Sequence, residues 1–206
     1  MTEGRSLFVE AYFDLICPWC LIGKRHLAAA LGMLRTQHPE VGVEVAWRSY
    51  PLLPDIPRQG LPFREFYLRR LGSAAAVAMR QQQVREAARV AGVEIAFERI
   101  EVFPNTLDAH RLVAQAQAQR GSSCAQAVID ALFIRYFVQG QDIGDAAVLA
   151  ELADEFGVSL DGPAAPAPVS SGMHGVPYFR FNGDVVVEGA QRPDLLMDAM
   201  LHALVL

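Results

Sequence analysis

The sequence has only three cysteines in 206 residues, Cys17, Cys20 and Cys124. That is too few for the disulfide framework of a small secreted scaffold, so a close cysteine pair points to catalysis or metal binding rather than to a structural staple. It also has no excess of basic charge. Lys and Arg number 18 against 23 Asp and Glu, a net charge of −5, so no positive field draws the chain to nucleic acid or to an anionic membrane. Long hydrophobic runs are missing too. The most apolar stretch, Ala125 to Val138, is interrupted by Asp130 and Arg135, which leaves no expected membrane span. The first residues, Met1 to Ser6, lack the apolar core and cleavage site of a signal peptide. A cytoplasmic location is expected.

What the chain does have is apolar mass, 52% hydrophobic, enough for one domain with a large insertion or for two small ones. Its most informative feature is Cys17-Pro18-Trp19-Cys20. The apolar run Leu7 to Ile16 reads as a strand, with Phe8 to Phe13 richest in β-formers, and Leu21 onward reads as a helix. A strand therefore delivers two cysteines to a helix N-terminus, where free N–H groups and the helix dipole favour a thiolate. The i, i+3 spacing puts both sulfurs on one turn, close enough to close a disulfide. A zinc half-site is the competing reading. It needs two further ligands, and only Cys124 and scattered histidines remain, so no metal is expected.

Pro18 suits the first helical turn, and Leu27, Leu31 and Leu34 give that helix an apolar stripe up to about Arg35. Val43, Val45 and Trp47 alternate with polar neighbours as a second strand, followed by a proline-punctuated loop over 51–57. From Pro62 to Gly157 the pattern is helical: Phe63 to Leu71, Ala74 to Ala91, a helix starting near Asn105, Ser123 to Val138, and one capped by Asp145 and stopped by Gly157. Residues 161–172 read as a Pro/Ala/Ser linker. Asn182-Gly183-Asp184 then marks a hairpin between Tyr178 to Phe181 and Val185 to Val187, and a last helix begins at Pro193. The order is that of an α/β thioredoxin-like fold with an inserted all-helical domain. Residues 1–60 and 161–206 would form the thioredoxin-like part, and 61–160 the insertion.

The chain resembles the FrnE-like branch of the DsbA family of thioredoxin-fold oxidoreductases. The matching runs are Asp14 to Arg25 around the cysteines, Pro104 to Leu112, Gly140 to Gly144, Gly175-Val176-Pro177-Tyr178-Phe179 and Gly189-Ala190-Gln191, in the family's order. One departure is the short linker at 161–172, where similar proteins carry a longer charged helical stretch.

The resemblance implies a thiol–disulfide oxidoreductase with Cys17 as nucleophile, Cys20 as resolving thiol and Pro177 as the cis-proline facing them. A trans proline opening an edge strand is the other reading of Pro177. Beside a cis turn, the backbone of Val176 could pair with an extended peptide or with glutathione. Pro18 and Trp19 would tune the pair, although Trp19 could simply pack. Asn105 and His110 fall on the inserted helix that should face the cleft. His110 could shuttle protons, but a satisfied core histidine is the preferred reading, and Asn105 is a helix cap first and a ligand second. Gly189, Ala190 and Gln191 precede the last helix, about where glutathione-using relatives hold the γ-glutamyl carboxylate; an ordinary helix start competes equally. Lys24 and Arg25 either add positive potential near Cys17 or are solvated surface charges, and Cys124 should pack as a small hydrophobe.

The leading function is thus disulfide exchange with a protein or small-molecule partner through a mixed disulfide, with no permanently bound cofactor and with glutathione as a conceivable co-substrate. The alternative is a glutathione-dependent isomerase or transferase acting on a small molecule. Proteins of that class usually carry serine where Cys17 stands, and the retained pair argues against it. The oligomeric state is left open, a homodimer included.

Overall fold

The chain folds around a four-stranded mixed sheet, as seen in a computed structural model that describes residues 5–162 and 173–205. Strand β1 (Ser6–Phe13) leads through the cysteine motif into helix α1 (Pro18–Gln37), and β2 (Gly42–Ser49) returns parallel to β1. The hairpin β5 (Tyr178–Phe181) and β6 (Val185–Glu188) completes the sheet, β5 lying antiparallel to β1, in the order β2-β1-β5-β6. Helix α7 (Pro193–Ala203) closes the fold.

Between β2 and β5 lie β3 (Leu61–Pro62), α2 (Phe63–Leu71), α3 (Ala74–Val90), a 3-10 turn (Phe97–Arg99), β4 (Val102–Phe103), α4 (Leu107–Arg120), α5 (Ser122–Phe133), which runs on into a π turn (Ile134–Val138), and α6 (Ala146–Phe156). The two-residue strands β3 and β4 pair antiparallel and carry no periodicity that a sequence window could register. Most of the linker at 161–172 falls outside the described residues.

Strand alternation explains the packing. Leu7, Val9, Ala11 and Phe13 share one face of β1 with Phe179 and Phe181 of β5, and all six belong to the core with Leu27 and Leu34 of α1, Leu112 of α4, Ile129 of α5 and Leu196 of α7. Asp145 caps α6 through its side chain, which accepts the Ala147 N–H, and Gly157 ends it in the left-handed region. At the hairpin tip Asn182 and Gly183 both take positive φ, the geometry that suits the twist of the strands. The Asn182 side chain does a second job there, accepting the Phe8 N–H and donating to the Ala203 carbonyl, so it ties β1 to the end of α7.

Candidate active site

Cys17 is the N-cap of α1 and Pro18 its first residue, so the thiol sits where the free N–H groups of the helix converge. No acidic side chain occupies that first turn to compete with a developing thiolate. The Cys17 carbonyl accepts the Cys20 N–H at 3.0 Å and the Leu21 N–H at 3.4 Å, which locks the turn. Cys20 lies beneath it, 1% exposed against 7% for Cys17, and hydrogen-bonds to it. Burial first, then the hydrogen bond and charge of Cys17, push the Cys20 thiol well above the ordinary range. Cys20 is therefore held as a neutral thiol next to Cys17.

The residue that organises this corner, Asp14, was not singled out by the sequence reading. Its carboxylate is fully buried and receives four donors: the Leu15 N–H at 2.7 Å, the Leu52 N–H at 2.7 Å, the Thr106 hydroxyl at 3.0 Å and His110 Nε2 at 3.1 Å. Its own N–H points at Cys20 Sγ, 3.5 Å away, and its carbonyl accepts the Cys17 N–H at 3.2 Å. One side chain thus joins the cysteine turn, the loop after β2 and the start of α4. His110 is consequently a core histidine, packed 5.2 Å from the Phe13 ring. Its Nδ1 is buried and has no hydrogen-bond partner among the described residues. An acid inside the apolar run Leu7 to Ile16 is the signal that could have exposed Asp14, since a buried charge demands partners.

The Val176–Pro177 bond is cis, and the Cys17 thiol donates to the Val176 carbonyl over 3.7 Å. Helix α1 comes in against this loop at Gly23, where a Cβ would stand 2.7 Å from Pro177 Cγ. We predict that Gly23→Ala displaces the Pro177 loop from Cys17. It should cost about 1–3 kcal/mol in urea unfolding, the usual range for overpacking, and slow the reaction of Cys17 with disulfides. Unchanged stability and an unchanged rate would show that the close approach has no consequence.

The remaining candidates divide. Pro18 and Trp19 are half-buried and line a cleft beside Cys17. Asn105 is committed elsewhere: it donates to the carbonyls of Pro54 and Ile56 and accepts the Leu107 N–H at 2.9 Å, fastening the loop after β2 to α4. Before α7, the Gly189 N–H donates to the Pro177 carbonyl at 2.8 Å, so this turn is tied to the cis-proline loop. Ala190 is half-buried, while the exposed Gln191 bends back to donate to the Glu188 carbonyl at 3.0 Å and accepts from His26 through its own carbonyl.

Lys24 follows neither expectation. It is buried, ion-paired with Asp130 of α5 and 5.3 Å from the Trp47 ring centroid, so it fastens α1 to the helical insertion instead of flanking Cys17 or meeting solvent. Arg25 is exposed. Cys124 is free and packs against the core.

The helical insertion supplies a wall that the sequence reading did not assign. Phe66, Tyr67 and Arg70 of α2 stand with Leu52, Leu53 and Phe103 around Cys17 and Pro18. Tyr67 is a neutral phenol, pushed up to about 12 by burial and then by Cys17. Among the described residues no group of side chains could hold a metal ion, and no helix is long and apolar enough to cross a membrane.

Comparison with known proteins agrees with this geometry. Residues 8–165 match the family model of the DSBA-like thioredoxin domain. The chain is 25% identical over 214 residues to the uncharacterized protein YwbO of Bacillus subtilis (strain 168), covering 95% of this chain and 96% of that one. It superposes with a TM-score of 0.81 and 27% identity on the probable DsbA oxidoreductase SCO1869 of Streptomyces coelicolor, covering 96% and 89% of the two chains. The cytosolic disulfide reductase DsbM of Pseudomonas aeruginosa, solved with GSH, shares the fold at a TM-score of 0.51 and 18% identity, over 73% of this chain and 65% of that one.

Proposed function

The chain belongs to the DSBA-like thioredoxin-domain family, and from that premise we propose that it is a thiol–disulfide oxidoreductase of the FrnE-like branch that reduces disulfides in the cytoplasm. The observation that carries this reading is the pairing of an N-cap thiol, Cys17, with a buried neutral thiol, Cys20, one turn away.

The Cys17 thiolate attacks one sulfur of a substrate disulfide. A new bond forms between Cys17 and that sulfur, and the other leaves as a thiolate. Cys20 then loses its proton and attacks Cys17 Sγ, which releases the second substrate thiolate and leaves a Cys17–Cys20 disulfide. Two electrons have passed from the protein to the substrate. An external thiol must return them, and reduced glutathione suits a cytosolic poise. A glutathione-dependent isomerase would need no resolving thiol, so the placement of Cys20 favours disulfide exchange. The test is reduction of insulin by dithiothreitol in the presence of the purified protein. Acceleration is expected, and a rate equal to that of dithiothreitol alone contradicts the reading.

Glutathione would bind with its cysteinyl backbone along Val176 and its γ-glutamyl carboxylate at the start of α7, where free N–H groups favour an anion. The Gly189–Pro177 hydrogen bond supports this by holding the two sites together. Titration calorimetry of the Cys17→Ser protein with reduced glutathione should show weak binding, on the order of 4–5 kcal/mol. Absence of heat at millimolar glutathione would remove the tripeptide from the account and leave disulfide exchange intact.

A further inference from the structure

The cleft beside Cys17 has a charge that the rest of the chain does not lead one to expect. Two adjoining hollows share Pro18, Tyr67 and Arg70. One contains Cys17; the other runs past Trp19 to Phe63, Phe97 and Arg80. Among the described residues their walls include two guanidinium groups and no carboxylate, in a chain of net charge −5. Arg70 makes no ion pair among the described residues, and Arg80 is bonded only to the neutral Gln83 amide, at 3.1 Å. Of the other four arginines on α2 and α3, three are answered by acids, Arg69 by Glu65, Arg85 by Glu98 and Arg89 by Glu86, while Arg64 makes no ion pair among the described residues and lies outside both hollows. Tyr67, neutral across the physiological range, adds a hydroxyl donor and no negative charge. Phe63 and Phe97 lie in near-parallel planes at 6.3 Å, and Tyr67 stands 4.8 Å from Phe63, so the floor between the arginines is aromatic.

Resting on the oxidoreductase reading, we propose that this cleft selects small disulfides with an apolar, ring-sized body and a carboxylate, held by Arg70 at its lip and by Arg80 further along, with the sulfur presented to Cys17. The hollow past Trp19 has a volume of about 170 Å³ and opens to solvent, room for a single aromatic ring. An apolar body gains from burial against Trp19 and the phenylalanines, while the carboxylate meets the unanswered, solvent-exposed guanidinium groups of Arg70 and Arg80 at the rim. Exchange then proceeds as written above, and the reduced protein supplies both electrons for a single turnover.

Two aromatic disulfides of similar size separate charge from reactivity: 5,5′-dithiobis(2-nitrobenzoate), with one carboxylate per ring, and the neutral 4,4′-dithiodipyridine. Pre-reduced protein is mixed with each in stopped flow, and the Cys17→Ser protein supplies the background from Cys20 and Cys124. The quantity read is the ratio of the anionic to the neutral rate constant. Arg70→Ala should lower it about fivefold, the range of a partly exposed ion pair, and Arg70→Ala with Arg80→Ala should lower it further. Arg70→Lys should retain most of the ratio, Arg35→Ala on the far end of α1 should leave it unchanged, and high salt should compress it in wild type. A ratio within twofold of wild type in the double variant overturns the proposal and leaves disulfide exchange standing. A wild-type protein whose Cys17 reacts with neither probe overturns the oxidoreductase reading, and this inference with it.

Discussion

Cys17→Ser is expected to abolish disulfide reduction, by a factor on the order of 10³ or more, while leaving the unfolding transition in place, because a serine hydroxyl cannot attack a disulfide at neutral pH. Cys20→Ser should behave differently. Attack survives, resolution does not, and the protein accumulates as a mixed disulfide. The release step has its own pH signature. Burial keeps the Cys20 thiol high, and two of its other causes, the hydrogen bond and charge of Cys17, vanish once Cys17 is bound in the mixed disulfide. Burial then remains the main cause, so Cys20 stays mostly protonated at pH 7. Its thiolate fraction, and with it the rate of release, should rise by up to about tenfold per pH unit above neutrality. Rapid-quench alkylation of the mixed disulfide across pH 6–9 measures this rate. A flat profile would mean that a neighbouring base takes the Cys20 proton in the slow step.

The largest effect on stability is expected at Asp14. Asp14→Ala strips the partner from four donors at once, three of them buried, those of Leu15, Thr106 and His110, and one part-buried, that of Leu52. Each unsatisfied group costs about 1–3 kcal/mol, so a loss of about 4 kcal/mol is reasonable after relaxation and could unfold the chain outright. Asp14→Asn keeps one acceptor oxygen but turns an amide NH2 toward donors. It should lose about 2 kcal/mol in urea unfolding and also change the alkylation rate of Cys17, because the Leu52 loop and the start of α4 lose a common anchor. A loss below about 0.5 kcal/mol for Asn would show that the carboxylate is not the anchor the geometry describes.

Local pattern carried the elements that depend on local chemistry. Helix α2 has the bounds that its periodicity predicts, Asp145 caps α6, and the Asn182-Gly183 turn joins the last two strands. Cys17 and Pro18 at the start of α1 were legible for the same reason: N-cap and first-turn preferences act within a few residues. What stayed hidden depends on long-range partners. Lys24 reads as a surface charge until Asp130, far along the chain, folds over it. Asp14 is one letter in an apolar run until Leu52, Thr106 and His110 arrive from two other segments. Arg70 and Tyr67 look like ordinary helix-surface residues, and only the packing of α2 beside the cysteine turn makes them walls of a cleft. The β3–β4 pair and the π turn after α5 are set by tertiary packing over stretches too short for a periodic signal.

The account rests on a division of labour between two thiols one turn apart. The most direct measurement is alkylation of the reduced protein with substoichiometric iodoacetamide at pH 7, followed by mass-spectrometric mapping of the modified cysteine. Cys17 at the helix N-terminus should carry nearly all of the label, and Cys20, buried and held as a neutral thiol, should remain unmodified. Labelling of Cys20 before Cys17 would contradict the assignment of attacker and resolver.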